Sequence, residues 1–194
     1  MTEKQPTTLE RIHLPARAEF REKGFPSASL RSIVKSLGMT TGAFYGYYPS
    51  KEALYEALVG PHYDYLIRRF RQAQSEFAHL PHHRQPDELG SFSGGCMFDM
   101  LHYAYDHLEE CQLLLTASEG TRFAGLVDYM AVLGELGRPA PCLDPRLEHI
   151  LITGMFRTFF ELILHAMPLE EAENYLRQMR AFYTAGWLEV MGQS

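Results

Sequence analysis

An all-α fold follows from three features of the sequence. Apolar residues recur at i, i+3 and i+4 along most of its 194 residues. No convincing alternating run of β-branched residues appears. Glycine, proline, serine and aspartate punctuate the chain where helices should start or stop. The class is an N-terminal helix-turn-helix head of three helices, followed by a C-terminal helical region.

The first helix is predicted over about 8–23, with Leu9, Ile12, Ala16 and Phe20 on one face. Pro15 lies inside it. An interior proline removes a hydrogen bond and costs about 3 kcal/mol, so the helix either kinks there or becomes regular only from there on. Gly24 should end it. Ser29 opens a short helix with Ile33 and Val34, Gly38 breaks it, and Thr40 opens another to about Gly46. Ser50 is a good N-cap for a long helix to about His79, with Glu52 in its first turn. Gly60-Pro61 should kink that helix.

Residues 80–95, with Pro81, Pro86 and several glycines, read as a loop. From Cys96 to Tyr105 the chain is apolar on nearly every face, as in a buried helix. Further helices are predicted over about 107–118 and 121–137. Pro139 and Pro141 force a loop. Asp144-Pro145 starts a helix to about Ala166, and Pro168 starts the last one, ending near Gly192.

Composition narrows the function classes. Hydrophobic residues make up 46% and charged residues 22%, which excludes disorder as the main state. Arg157 and Glu161 interrupt the most apolar stretch, 150–164, and the N-terminus lacks an apolar signal core, so a cytoplasmic, non-membrane protein is expected. Cys96, Cys111 and Cys142 form no C-x-x-C pair and read as free thiols. The net charge of −6 alone argues against nucleic acid, but it is uneven. Residues 1–59 carry a surplus of two positive charges, and residues 60–194 a surplus of eight negative ones.

The informative segment is Gly24 to Lys51. Two short helices meet at the turn Leu37-Gly38-Met39, where glycine supplies the positive φ of a tight turn. Ile33, Val34, Leu37, Met39 and Phe44 form a small shared core. This is a helix-turn-helix. Its second helix has little apolar surface on the outer side. Thr40, Thr41 and Gly42 are small enough for close approach to base edges and phosphates. Tyr45, Tyr47 and Lys51 add donors for phosphate oxygens, and Arg31 is a candidate for base readout.

With Phe20, Gly24-Phe25, Ser29 to Ile33, and above all Gly38 to Leu54, the sequence resembles the tetracycline-repressor-like (TetR/AcrR) family of transcriptional regulators across about residues 10–58. Beyond that segment the likeness is in helix order, with Phe182 to Trp187 similar to the family's last helix. The resemblance implies that Ser29, Arg31, Thr40, Thr41, Gly42, Tyr45, Tyr47 and Lys51 fall where such proteins touch DNA. It implies operator DNA, a small-molecule effector and a second copy of the chain as partners. Residues 1–50 would bind DNA, and 51–194 would bind the effector and dimerise. The function implied is a repressor released from a palindromic operator by a small molecule. A helical ligand carrier or enzyme with an unused head is the alternative.

Methionines and aromatics line adaptable pockets as readily as they fill cores. Met97, Met100, Leu101, Tyr105, Phe123, Met155 and Phe159 are thus candidates for either role. His102, Glu119 and Arg122 would orient a ligand or satisfy one another. The last two helices carry apolar stripes through Leu151, Gly154, Thr158 and Leu162, and through Tyr175, Met179, Phe182, Gly186 and Trp187. Two such helices per subunit would make a four-helix dimer interface.

Other patterns carry little. Ser32-Ile33-Val34-Lys35 matches S-x-x-K, but lies in the helix-turn-helix without partner motifs. His79, His82 and His83 lie at a proline-bounded loop and are read as solvated rather than as metal ligands. Arg68, Arg69 and Arg71 are read as a solvated helix face. No catalytic residue, cofactor or metal is expected.

Overall fold

The structure, a computed structural model, describes residues 7–81, 85–136 and 144–190. In order, its helices are α1 (Thr8–Ser27), α2 (Leu30–Ser36), α3 (Thr41–Tyr45), α4 (Lys51–Ala78), α5 (Gln85–Asp106), α6 (Leu108–Thr116), α7 (Leu126–Leu136), α8 (Pro145–Leu164) and α9 (Leu169–Val190). They form two compact units. One contains the described residues up to Tyr63 together with Glu109–Ala124. The other contains Asp64–Leu108 and the described residues from Gly125 onward.

In the first unit α1 begins further upstream than Pro15 suggested. Thr7 and Glu10 form a reciprocal capping box that satisfies two orphan donors at the helix start. Pro15 keeps helical backbone, and the only non-helical residue inside α1 is Gly24, at φ 70°, ψ 163°. Glycine alone adopts that conformation readily. At Gly24, where the sequence predicted its end, the helix therefore bends, and it continues to Ser27. Ile12, Ala16 and Phe20 are fully buried, as the i, i+4 spacing requires.

Residues 109–124 join this unit through contacts of several kinds. The Phe25 N–H donates to the Ala117 carbonyl at 3.0 Å. Arg17 pairs with Glu109 and Glu110 at the start of α6. The Tyr55 hydroxyl donates to the Leu113 carbonyl at 3.1 Å and shares a 2.9 Å hydrogen bond with Ser118. Phe20 and Phe25 pack edge-on against the Tyr55 ring. Burial pushes the Tyr55 hydroxyl up to about 12, so it stays neutral and can donate.

The second unit is built mainly on the pairings α7 with α8 and α5 with α9. Met100, Leu101, Phe156, Phe159 and Phe160 are almost fully buried at its centre. Each such side chain contributes about 1.5–3 kcal/mol by leaving water. Two helix boundaries differ from the sequence reading. Residues 85–95 are helical, because Pro86 sits in the first turn of α5, where no amide hydrogen bond is required. The segment predicted as a helix from 121 begins as turns and becomes helical only at Leu126. The backbone of α4 stays helical through Gly60-Pro61. Asp144 caps α8 as predicted, its carboxylate accepting the Arg146 N–H at 2.8 Å.

The arginines of α4 are not a plain solvated face. Arg69 pairs with Asp99 at 2.7 Å, and Arg71 donates to the Tyr129 hydroxyl at 2.5 Å. Cys96 and Cys111 are buried free thiols, each pushed up to about 12 by burial, while Cys142 lies outside the described residues. So do His82 and His83. His79, by contrast, engages the Ser75 carbonyl at 2.5 Å. No helix among the described residues is long and apolar enough to cross a membrane.

The apolar stripes of α8 and α9 divide between two directions. Leu162, Met179 and Trp187 are buried within the chain itself. Thr158, Tyr175, Phe182 and Gly186 are exposed, and Leu151 and Gly154 are half-buried. The i, i+3, i+4 rule marks one broad apolar face, and one helix can use one edge of it inward and leave the other outside. Ile150 and Phe182, 64% and 73% exposed, are the most exposed large apolar residues described on these two helices.

Candidate nucleic-acid interface

The helix-turn-helix is held by local hydrogen bonds that its sequence supplies. Ser29 caps α2, accepting the Ser32 N–H at 3.5 Å. Thr40 caps α3, accepting the Ala43 N–H at 3.2 Å. Both substitute for carbonyls that a helix start lacks. Gly38, at φ 63°, makes the turn between them. Beneath, Ile33, Val34 and Phe44 are buried, and Phe44 packs near the rings of Tyr45 and Tyr48.

What remains outside is a polar surface of small and aromatic residues. Arg31, Thr40, Thr41, Gly42, Tyr45 and Tyr47 are all exposed, the two tyrosines at 49% and 45%. An exposed guanidinium beside a row of hydroxyls suits the edge and backbone of a duplex: Arg reads guanine bidentately, and hydroxyls donate to phosphates. Ser29 is half-buried and its hydroxyl is occupied as a cap.

Lys51 departs from its expected role as a phosphate donor. Its ammonium donates to the carbonyls of Phe25, Pro26 and Ala28, at 2.8, 3.1 and 3.2 Å. An ammonium has three donors, and these contacts engage all three.

Two supporting residues carried no sequence signal. Glu19 is buried and accepts the Ser29 N–H. His13 Nε2 lies 2.6 Å from the Tyr48 hydroxyl, joining α1 to the segment after α3. The two are 35 residues apart, and no spacing rule connects positions that only tertiary folding brings together. Burial, with Arg17 beside it, holds the His13 imidazole below its ordinary value of 6.5, while Glu110 and Glu10 oppose this.

The neutral imidazole is thus the form the fold favours. Stability from His13 is fully present above pH 6.5 and is lost as pH falls through the lowered folded value. His13→Gln keeps a hydrogen-bonding group but cannot titrate. Wild type should therefore lose more stability than this variant between pH 7.5 and pH 5.5 in denaturant titrations. Equal losses would mean that His13 does not contribute.

The predicted ligand residues do not gather in one unit. Met97, Met100, Leu101, His102, Tyr105, Met155 and Phe159 belong to the second, whereas Glu119, Arg122 and Phe123 belong to the first. Met97, Met100, Leu101, Phe123 and Phe159 are buried, and Met155 is half-buried. The Tyr105 hydroxyl donates to the carbonyls of Leu162 and Met167. His102, on the surface, meets Glu173 at 2.6 Å, and Arg122 meets Glu56 at 2.6 Å. Glu119 is exposed.

Residues 15–58 match the family described as bacterial regulatory proteins, tetR family. The chain is 42% identical over 71 residues to the HTH-type transcriptional regulator UidR of Escherichia coli (strain K12), a match covering 37% of this chain and 36% of that protein. It is likewise 42% identical over 50 residues to the uncharacterized HTH-type transcriptional regulator YuxN of Bacillus subtilis (strain 168), covering 26% and 17%. A crystal structure of a transcriptional regulator (TerR/AcrR family) from Aquifex aeolicus VF5 superposes with a TM-score of 0.56 at 22% identity, over 89% of this chain and 96% of that one. That similarity extends the shared fold beyond the head, to nearly the whole chain. Within residues 15–58, the helix-turn-helix segment and its turn glycine match the tetR family of bacterial regulatory proteins.

Proposed function

We propose that this protein is a dimeric, ligand-responsive transcriptional regulator that binds a palindromic operator and is released from it by a small molecule. The observation that carries the reading is the outer side of the helix-turn-helix: Arg31, Thr40, Thr41, Gly42, Tyr45 and Tyr47 exposed together on a capped, glycine-turned scaffold. A helix packed only for stability has no reason to present that set. The names of UidR and YuxN support a regulatory role.

Residues 1–50 would read the operator, and 51–194 would bind the effector and the second subunit. The exposed edge of α8 and α9, with Ile150, Thr158, Tyr175 and Phe182, supplies a surface for that subunit. A small molecule would act by binding one conformation of the dimer better than another, and it can shift the balance only by that difference in affinity. The cytoplasm is where such a regulator meets DNA.

The test uses duplexes tiled across the DNA upstream of the protein's own gene. Wild type should bind one palindromic segment far more tightly than random sequence. Arg31→Ala should relax preference at one base position, by about 1–3 kcal/mol for a bidentate contact. Loss of equal size on operator and random DNA would remove Arg31 from base readout, and no preference anywhere in wild type would sink the regulator reading.

A further inference from the structure

The segment joining α1 to α2 is bracketed by two ionised side chains of opposite sign. Lys51, the first residue of α4, takes the carbonyls of Phe25, Pro26 and Ala28, and its ammonium sits 4.6 Å from the centre of the Phe25 ring. Glu19, on α1, is 8% exposed, and its Oε1 accepts the Ser29 N–H at 3.0 Å and the Lys23 ammonium at 2.8 Å. The hydrogen bond from Lys23, with those from the Ser29 N–H and the Ser32 hydroxyl, holds this carboxyl below its ordinary range.

The physical reason is the pair of loose ends between two helices. The backbone leaves the helix at Ala28, with φ −67° and ψ 142°, so the last carbonyls of α1 lack helical partners. The Ser29 amide precedes α2 and lacks one too. A cation suits the carbonyl end and an anion the amide end. Ser29 is itself the cap of α2, and Arg31 follows two residues later.

We propose that Glu19 and Lys51 are positioning residues for DNA recognition: neither touches DNA, and together they fix the start of α2, and so the place of Arg31, within the head. This rests on the DNA-binding reading above. Charge alone gives the opposite sign for Glu19. Removing a negative group from a surface that approaches phosphates should tighten binding, whereas loss of a positioning group should weaken it.

The test uses the full chain with Glu19→Leu, Glu19→Gln, Lys51→Met and Lys51→Arg, under conditions where circular dichroism shows each folded. The probe is the upstream duplex that wild type binds most tightly, titrated with salt, alongside amide hydrogen exchange at Ser29. Glu19→Leu and Lys51→Met should each bind about tenfold more weakly, the effect of losing charge-assisted hydrogen bonds. The slope of log affinity against log salt should stay unchanged, because no phosphate contact is lost. Ser29 exchange should rise in Glu19→Leu. Glu19→Gln, which keeps an acceptor for the Ser29 N–H, and Lys51→Arg, which keeps the charge and donors, should recover most of the binding.

Binding by Glu19→Leu as tight as wild type or tighter would overturn the proposal. So would a Lys51→Met salt slope shallower by about one, the mark of a lost phosphate contact. Failure of wild type to bind any duplex would instead sink the DNA-binding reading. Ser29 exchange then still decides the bracket, since an unprotected Ser29 amide in wild type, or one unaffected by Glu19→Leu, excludes it. Should the two apolar variants fail to fold, the same exchange measurement on wild type and Glu19→Gln stands in for them.

Discussion

Phe182→Asp is expected to turn the proposed dimer into folded monomers. Phe182 is the most exposed large apolar residue described, at 73%, and Tyr175 and Val190 on the same helix are 43% and 44% exposed. On α8, Leu147 and Ile150 are similarly left outside, at 43% and 64%. An aromatic in the middle of such a patch is the residue type that dominates interface energies, commonly with 2 kcal/mol or more lost on truncation. A twofold axis makes each substitution count twice, and a buried carboxylate adds a desolvation cost. The dissociation constant should therefore rise by about three orders of magnitude or more. Light scattering at micromolar concentration checks this, with circular dichroism to show that the helices remain. A Phe182→Asp protein with dimer mass at that concentration would place the interface elsewhere.

The other large effect is expected in the head. Phe44 is fully buried and is the one described apolar side chain that α3 puts into the core. A helix of five residues has almost no stability of its own, since nucleation costs more than so few hydrogen bonds return. Its place depends on that anchor. Phe44→Ala should cost about 3–5 kcal/mol by lost transfer energy and the cavity left behind. DNA binding should disappear, and amides of α2 and α3 should lose exchange protection while those of α8 and α9 keep it. Full operator affinity in this variant would show that Phe44 does not hold the reading helix.

Local chemistry explains which parts were legible beforehand. The caps at Ser29, Thr40, Ser50 and Asp144 all bond to amides two or three residues away, so their sequence neighbourhood is sufficient to identify them. Gly38 is similar, because a positive φ is a property of one residue. Proline was the weaker guide. Pro15, Pro61 and Pro86 all lie inside helices, as packing and position within the first turn offset their local cost.

By itself, then, the sequence determined the helical class, the helix-turn-helix between Ser29 and Tyr47, and the outward row of Thr40, Thr41, Gly42, Tyr45 and Tyr47, because periodicity and capping act over one to four residues. Tertiary structure alone decided what distant side chains do. It assigned the Lys51 ammonium to three carbonyls more than twenty residues back, joined residues 109–124 to the head, and sent Leu162, Met179 and Trp187 inward while leaving Phe182 outside. A charged group takes whichever partner the fold brings within about 3 Å, and an apolar stripe is covered on whichever edge meets a neighbouring helix. Neither choice is encoded at the residue's own position.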